Sequence, residues 1–447
     1  MIQVFGKIEL GKAVGAALLL TGLHMVHAGD FTFVGDIRER FETLDGMNKK
    51  AYGTEASLIG SPYDTLLVSR IQLGFVYRLS PNIKFTAEGY YASVYGWSLD
   101  YNDFKMISGN EVYWMDPQED LDFVALNLEV KNLAGIQGLS GQIGRESNRY
   151  GDKRILGPGS WGNSYGWLWD LAKVSYRFDG NFVDLFYGET KDKDKRRLSL
   201  FRKHVYEGAG IYSHFKTAEN GAVEPFIVYK NGLYTGTGNG QNTEKSYTFG
   251  FRAYDTDLFG FNYDLTYAKA DGTIKIKDYD AYGYAAKVGY RFKMLTWMPN
   301  VVIGQIYASG DDDPGDNTVK TFRTPFGGTD GSLYGRMDIM KWSNLVENVV
   351  ELHMYPAEKM HLKLSWHDFS LANANDAWTY YKKYNKNGNH ERELGQEYDI
   401  EYKWDYAKDL EFQVIYAYFD AGAFVTKNVS DNDAQRLFLQ VEYSFKE

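Results

Sequence analysis

The feature that most constrains the fold of this 447-residue chain is the two-residue period of its large apolar side chains. Between residues 282 and 292, tyrosine, valine and phenylalanine alternate with glycine, alanine and basic residues, and the segments 247–253, 398–404, 410–418 and 437–445 repeat the pattern. Successive side chains of a strand point to opposite faces, so the pattern predicts strands with one apolar and one polar face. Helical spacing fits none of these segments.

Segments of this kind predict an all-β fold of about eighteen strands, most of them about 10–15 residues long. Strands in soluble sheets usually have about five or six residues, whereas tilted strands that cross a bilayer need about ten. The predicted strand cores are 31–42, 65–79, 82–95, 121–131, 139–147, 168–179, 181–190, 204–216, 223–231, 245–256, 260–270, 280–293, 300–309, 345–355, 360–371, 395–405, 409–420 and 435–445.

The connections between these segments alternate between short and long. Tight turns are predicted at 80–82, 179–181, 356–359 and 407–409. Short turns on one side and long loops on the other are typical of an outer-membrane barrel, with the short turns in the periplasm. A sandwich or a propeller predicts no such alternation. The long polar loops between the turns are predicted at 44–64, 97–120, 148–167, 310–344, 372–394 and 421–434.

Aromatic residues make up 16% of the chain, with 36 Tyr, 27 Phe and 10 Trp. So many large rings would not fit inside a soluble barrel, so we expect the aromatic face to contact lipid, with Tyr and Trp at the strand ends. We therefore predict a single domain over residues 29–447, a transmembrane antiparallel β-barrel of the bacterial outer membrane. A barrel of this size is expected to enclose an aqueous channel rather than a packed core.

The first 28 residues have the composition of a secretory signal peptide. Lys7 and Lys12 flank the start of an apolar run over 13–26, and Ala28 offers a cleavage site. The alternative is an N-terminal helix that anchors the chain in a membrane. The chain has no Cys, which excludes disulfides and thiolate metal sites, and its net charge of −10 argues against nucleic-acid binding.

One stretch carries a resemblance to a known family. Residues 144–157 read Gly-Arg-Glu-Ser-Asn-Arg-Tyr-Gly-Asp-Lys-Arg-Ile-Leu-Gly, which is similar to the signature of the alginate export protein family. The resemblance implies an eighteen-stranded outer-membrane porin that releases an anionic exopolysaccharide, as a monomer that works with periplasmic proteins of a secretion system. Residues 166–170 depart from the family, which usually has an arginine and a Phe-Asp-Gly step there. Later segments similar to the family are 334–335, 342–345, 366–369, 376–378 and 395–399.

With the aromatic face outward, the strands place charged residues on the inner face. Basic residues prevail on the first two strands and in the middle of the chain, and acidic residues on the last five. We expect the basic wall to guide an anionic solute, because a planar guanidinium binds carboxylates bidentately. The alternative is that these charges only solvate a water-filled interior. The residues predicted to line the solute path are Arg38, Arg40, Arg70, Lys173, Arg177, Arg252 and Glu397, and further inward-facing basic positions include Arg78, Lys84, Lys287 and Arg291.

The resemblance adds Arg145, Arg154 and Asp152 to this path. Alternation with Ile143 would point Arg145 toward lipid, where a charge is costly. We therefore expect the strand to end near Arg145 and its side chain to fold inward, with Asp152 as its partner.

Asp311, Asp313 and Asp316 form an acidic cluster on a predicted extracellular loop. Carboxylate oxygens suit calcium, but this spacing does not match an EF-hand loop. A solvated acidic loop is the simpler interpretation, and no cofactor is predicted.

The sequence contains no His-Glu-x-x-His motif and no phosphate-binding glycine loop. Ser365 and His367 share one face of a predicted strand, which leaves an outer-membrane hydrolase as a remote alternative. We predict a non-enzymatic channel for passive diffusion of an anionic polysaccharide such as alginate or a related polyuronate. The alternative is a general or sugar-selective porin for small solutes. In either case the expected partners are outer-membrane lipid and the solute.

Overall fold

The structure of the protein, a computed structural model, describes most of the chain beyond residue 29. The predicted signal peptide, residues 1–28, lies outside the described residues. The described ranges are 30–48, 58–96, 105–108, 111–114, 120–157, 167–191, 204–232, 244–327, 333–379 and 382–447.

Strands make up most of these ranges. In chain order they are β1 (Asp30–Asn48), β2 (Leu58–Ser80), β3 (Ile83–Gly96), β4 (Lys105–Ser108), β5 (Glu111–Trp114), β6 (Asp120–Lys131), β7 (Leu139–Ser147), β8 (Leu168–Phe178), β9 (Asn181–Lys191), β10 (His204–Lys216), β11 (Gly221–Gly232), β12 (Glu244–Leu258), β13 (Phe261–Ile274), β14 (Lys277–Arg291), β15 (Asn300–Ala308), β16 (Thr318–Val319), β17 (Leu345–Ala357), β18 (Met360–Ser370), β19 (Glu393–Ala407), β20 (Leu410–Ala421) and β21 (Ala434–Lys446).

Eighteen of these strands form one closed antiparallel barrel, which confirms the predicted fold. Each barrel strand pairs with its neighbours in sequence, and β21 pairs with β1 to close the barrel, with Glu442 opposite Arg38. The hairpin of β4 and β5 is separate from the barrel, and β16 is a short strand that runs parallel to β14.

Short and long connections lie at opposite ends of the barrel, as predicted. The turns at 81–82, 179–180, 358–359 and 408–409 lie at the end that faces the periplasm in barrels of this type. The predicted bounds of the loop over 44–64 are wrong, since β1 continues to Asn48 and β2 begins at Leu58. Leu44 and Asp64 continue the alternation and are buried, so the strands run on past the predicted boundaries. At the same long-loop end, residues 275–276 join β13 and β14 in a tight turn.

The two faces of the wall differ as the alternation predicts. In β12, Tyr247, Phe249 and Phe251 are exposed on the outer face. Ser246 and Thr248, on the alternate positions, are buried. Lipid covers such an outer band, and each large apolar side chain removed from water contributes about 1.5–3 kcal/mol. The alternation therefore assigns every barrel residue to the lipid or to the interior.

The interior is not the wholly aqueous channel that the strand count predicted. Residues 148–157, 309–327 and 333–344, which connect strands at the long-loop end, fold inward and join a buried apolar cluster with the wall. Phe326 of one connection packs on Trp169 of β8, with ring centroids 4.5 Å apart, and Phe322 packs on Trp342 at 4.9 Å. The strand count did not indicate which loop would enter the lumen, and the aromatic residues of these connections are buried inside the barrel.

A short helix, α1 (Ala423–Asn428), lies in the connection between β20 and β21, with Phe424 and Val425 buried. None of the helices in the described ranges has the length and apolarity needed to cross a membrane.

Candidate functional site

Buried arginines line the inner face where the barrel closes. Arg38 of β1 lies directly opposite Arg70 of β2 in the strand register, and both side chains are buried. Like charges in such a pair repel each other, so carboxylates are needed nearby. Asp36 lies 3.0 Å from Arg70, and Glu442 lies opposite Arg38 on β21.

A second group of charges lies on the same wall, nearer the long-loop end. The Arg40 guanidinium donates to Gln440, with its Nε 2.8 Å from Oε1, and lies 3.3 Å from Glu42. Arg436 of β21 lies 2.8 Å from the same Glu42 carboxylate and 3.9 Å from the centre of the Phe438 ring. Arg436 was missed in the sequence, although its alternation with Leu437 and Leu439 points it inward.

The acidic wall of β17 to β19 also faces inward, and its carboxylates have basic partners. His367 lies between two carboxylates, with Nδ1 2.8 Å from Glu347 and Nε2 3.3 Å from Asp399. Lys363 lies 2.9 Å from Glu351 and 3.4 Å from Glu401. These pairs reduce the separation of basic and acidic walls that the sequence predicted.

Segment 333–344 of the inward loop joins the two walls. Glu397, which is fully buried, accepts a hydrogen bond from the backbone N–H of Met337 at 2.7 Å. Arg336 pairs with Glu401 on the same wall. From the other wall, Arg436 donates to the carbonyls of Arg336 and Met337 at 3.3 and 3.1 Å. Glu397, predicted to contact the solute, thus holds a loop in place.

Gly335 is required for this contact. Its φ of +86° favours glycine, and a Cβ there would lie 2.5 Å from the Glu397 carboxylate. The loop therefore approaches the wall closely at Gly335, a residue without a side chain.

Segment 148–157, which carries the family-like motif, packs against the wall of β8 to β12. Tyr150 stacks on Tyr212 with centroids 4.5 Å apart and donates to Asp184 at 2.9 Å. Arg154 is buried 3.0 Å from Asp152 and 5.0 Å from the ring centre of Tyr334. Burial alone would raise the pKa of Asp152, but the charges of Arg154 and Arg252 hold that pKa below its usual range.

Arg145 has different partners from the one predicted. It is buried at the point where β7 stops pairing with β6, with its guanidinium 3.1 Å from Asp122 and 2.7 Å from Asp170. Asp152, the predicted partner, binds Arg154 instead. The reason is local: Asp170 lies directly opposite Arg145 in the register of β7 and β8, whereas Asp152 leaves the wall with the inward segment.

The remaining predicted path residues differ in how fully they are neutralised. Arg252 makes a bidentate pair with Asp264 at 2.9 and 2.7 Å and lies 3.2 Å from Glu224, and Lys173 pairs with Glu146. Arg177 has a side chain 59% exposed, and its nearest carboxylate is Asp184, 4.0 Å away.

The carboxylates of the acidic loop accept hydrogen bonds from the same loop. Asp311, Asp313 and Asp316 each accept a backbone N–H two residues further on, at 3.2, 3.1 and 2.7 Å. The Asp312 carboxylate is paired with Lys320, and this hydrogen bond lowers the pKa of Asp312. Within the described ranges, no group of three or more His, Asp or Glu side chains is arranged to hold a metal ion.

Ser365 and His367 lie on the inner face of β18, but both ring nitrogens of His367 already face carboxylates. The Ser365 hydroxyl is buried and makes no hydrogen bond to the histidine. The pair therefore lacks the nucleophile–base contact on which hydroxyl activation depends.

Comparison with known proteins decides the family. A family model described as alginate export matches residues 110–439, well over half of the chain. The chain belongs to the alginate export family. Family and fold together place this family member in the bacterial outer membrane as a channel protein.

Solved structures show the same barrel. Acinetobacter baumannii OccAB2 is 11% identical, with a TM-score of 0.61, and the match covers 93% of this chain and 98% of that chain. Pseudomonas aeruginosa OccK5 (OpdH) is 10% identical, with a TM-score of 0.58 and the same coverage. At these identities the likeness shows the fold alone, that of an outer-membrane porin. A search of curated proteins found no match.

Proposed function

We propose that this member of the alginate export family is a passive channel for an anionic polysaccharide such as alginate or a related polyuronate, guided by the arginines of its lumen. The observation that carries the proposal is the basic inner face where the barrel closes, with Arg38 directly opposite Arg70 in the strand register and Arg40 on the same face. A wall that carries several basic side chains raises the local concentration of anions, so it is expected to favour an anionic solute. Family membership supports the same substrate class.

The second candidate is a porin for small solutes. The observation that favours it is the apolar cluster of inward loops, which narrows the lumen and leaves many charges in internal pairs. A narrowed pore passes small solutes more readily than a hydrated polymer.

Single-channel recording in a planar bilayer under a salt gradient tests the two. Anion selectivity, together with a current that polyuronate blocks and that Arg70→Ala releases from block, supports polysaccharide export. Cation selectivity without block by polyuronate refutes it and leaves the small-solute porin.

A further inference from the structure

The periplasmic end of the lumen holds two stacks of side chains, each of which contains an arginine, an aromatic ring and histidine. In the first stack, Arg177 of β8, Phe182 of β9 and His214 of β10 lie in one register row, each directly opposite the next. The guanidinium carbon of Arg177 lies 5.0 Å from the Phe182 ring centre, and the His214 ring is parallel to Phe182 within 6°, at 5.4 Å. All three project inward, because Tyr176 and Leu185 on the alternate positions are exposed to lipid.

The second stack repeats this order on β14, β17 and β18. Arg291 lies 5.6 Å from the Tyr355 ring centre, and His361 stacks on Tyr355 at 5.0 Å with an interplanar angle of 16°. His353 extends the stack, 5.2 Å from His361. Both stacks lie beside short turns, 179–180 for the first and 358–359 for the second, and thus at the periplasmic mouth.

The two arginines are less neutralised than those deeper in the barrel. Among the described residues, the carboxylate nearest Arg177 is Asp184, at 4.0 Å, and Asp184 already accepts the Tyr150 hydroxyl. Arg291 has no carboxylate within 4.0 Å among the residues the structure describes, and its Nε finds no acceptor there. Arg252, further along the wall, is fully engaged by Asp264 and Glu224.

We propose that these two stacks, Arg177–Phe182–His214 and Arg291–Tyr355–His361, are docking sites for uronate units of the polymer at the periplasmic mouth. The inference deepens the proposed export function and depends on it. A pyranose ring presents flat C–H faces that pack on planar side chains, and its carboxylate matches the guanidinium fork. The ring next to each arginine restrains the guanidinium by a cation–π contact, so less side-chain entropy is lost on binding.

This arrangement answers a need of a polymer channel. A polysaccharide must thread by one end, and that end is presented from the periplasm. Two separate stacks on the mouth can each hold a unit of the polymer weakly, which raises the local concentration of the chain end without trapping it further inside. Each histidine has one ring nitrogen engaged within the protein, His214 Nδ1 with Glu224 at 2.9 Å and His361 Nε2 with His353 at 3.1 Å, and its other ring nitrogen can hydrogen-bond a sugar hydroxyl.

The test compares block by a short oligomannuronate added to each side of a single oriented channel. Orientation is assigned with Ile276→Cys, which places the chain's first thiol in the exposed turn at the long-loop end, where an impermeant reagent reaches it. Arg177→Gln and Arg291→Gln should each raise the half-blocking concentration from the periplasmic side about tenfold. Block from the outer side should change by less than about twofold.

Arg78→Gln is the matched control, because Arg78 lies near the end of β2 at the same mouth, alternates with the exposed Leu79 and has no ring contact among the described residues. Phe182→Leu and Tyr355→Leu keep the arginine charges and remove the aromatic rings next to them. Both substitutions should shorten each blocking event. An equal effect of Arg78→Gln, or unchanged block in both Arg177→Gln and Arg291→Gln, overturns the inference while leaving export intact. A wild-type channel that oligomannuronate blocks from neither side refutes export itself.

Discussion

The contact between Glu397 and the backbone of Met337 gives the sharpest prediction about the lumen. A backbone N–H that donates to a buried carboxylate contributes about 1.5–3 kcal/mol. Glu397→Ala removes the acceptor, so segment 333–344 should open locally about 10- to 150-fold more often. The same loop is held by the apolar side chains of Phe322, Phe326 and Trp342, each worth about 1.5–3 kcal/mol on burial. Their sum exceeds the lost bond, so the loop as a whole should stay inside the barrel.

Thiol labelling measures this opening directly, since the chain has no cysteine of its own. Met337→Cys keeps the backbone N–H and places a buried thiol at the contact. Its labelling rate, relative to the exposed reference Ile276→Cys, reports how often the segment opens. Adding Glu397→Ala to Met337→Cys should speed labelling by the same factor, about 10- to 150-fold.

Two controls accompany this experiment. Glu397→Gln retains a side-chain oxygen that accepts the N–H, and should label nearly as slowly as the parent. Glu393→Ala removes an exposed carboxylate from the same strand and should have no effect. The reasoning is refuted if Glu397→Ala leaves the rate unchanged, or if Met337→Cys alone labels as fast as Ile276→Cys.

Three further predictions concern stability, each measured as the urea midpoint of unfolding in detergent or lipid. Ile303→Arg on the lipid-facing side of β15 should cost about 2–4 kcal/mol, whereas Ile276→Arg in the exposed turn should cost almost nothing; similar costs would contradict the assigned faces. Trp169→Ala should cost about 3–5 kcal/mol, because its ring fills the junction of wall and inward loop, and a loss below about 1 kcal/mol would argue against that packing. The pKa of Asp152 is held below its usual value, so its carboxylate stabilises the fold above about pH 4 and this contribution disappears as the pH falls through the lowered pKa. Asp152→Asn should therefore flatten the decline of the midpoint below about pH 4, and an unchanged decline would exclude this role.

The barrel was predictable because its information is periodic. A lipid-facing strand must alternate, so strand number, order and orientation follow from positions such as Tyr247 and Phe249. The same alternation also assigns Arg38, Arg70 and Arg436 to the interior. Arg436 lies within the predicted strand core 435–445, but it was missed because the alternation was followed only from Leu437 onward.

The interior was not predictable by that route. The bond from Met337 to Glu397 joins residues 60 positions apart through a backbone group, which leaves no side-chain pattern in the sequence. Arg145 chose Asp170 over the nearby Asp152 because register, rather than distance along the chain, decides which side chains meet. Loops without a period gave no sign that Phe322 and Phe326 would be buried inside the barrel.

The pairing of charges also decides where a solute carboxylate can gain free energy. To bind Arg252, a uronate would have to displace Asp264, which already makes two hydrogen bonds to the guanidinium at 2.9 and 2.7 Å. Exchanging one carboxylate for another of the same chemistry returns little free energy, because Asp264 gives up the hydrogen bonds that the uronate gains. A uronate that binds Arg177 need not displace a carboxylate in this way. The carboxylate nearest to Arg177 among the described residues, Asp184, is 4.0 Å away and accepts a hydrogen bond from Tyr150. A deep pair such as Arg252 with Asp264 is thus expected to add less to anion binding than Arg177, which has no such pair to break and lies at the mouth where the polymer arrives.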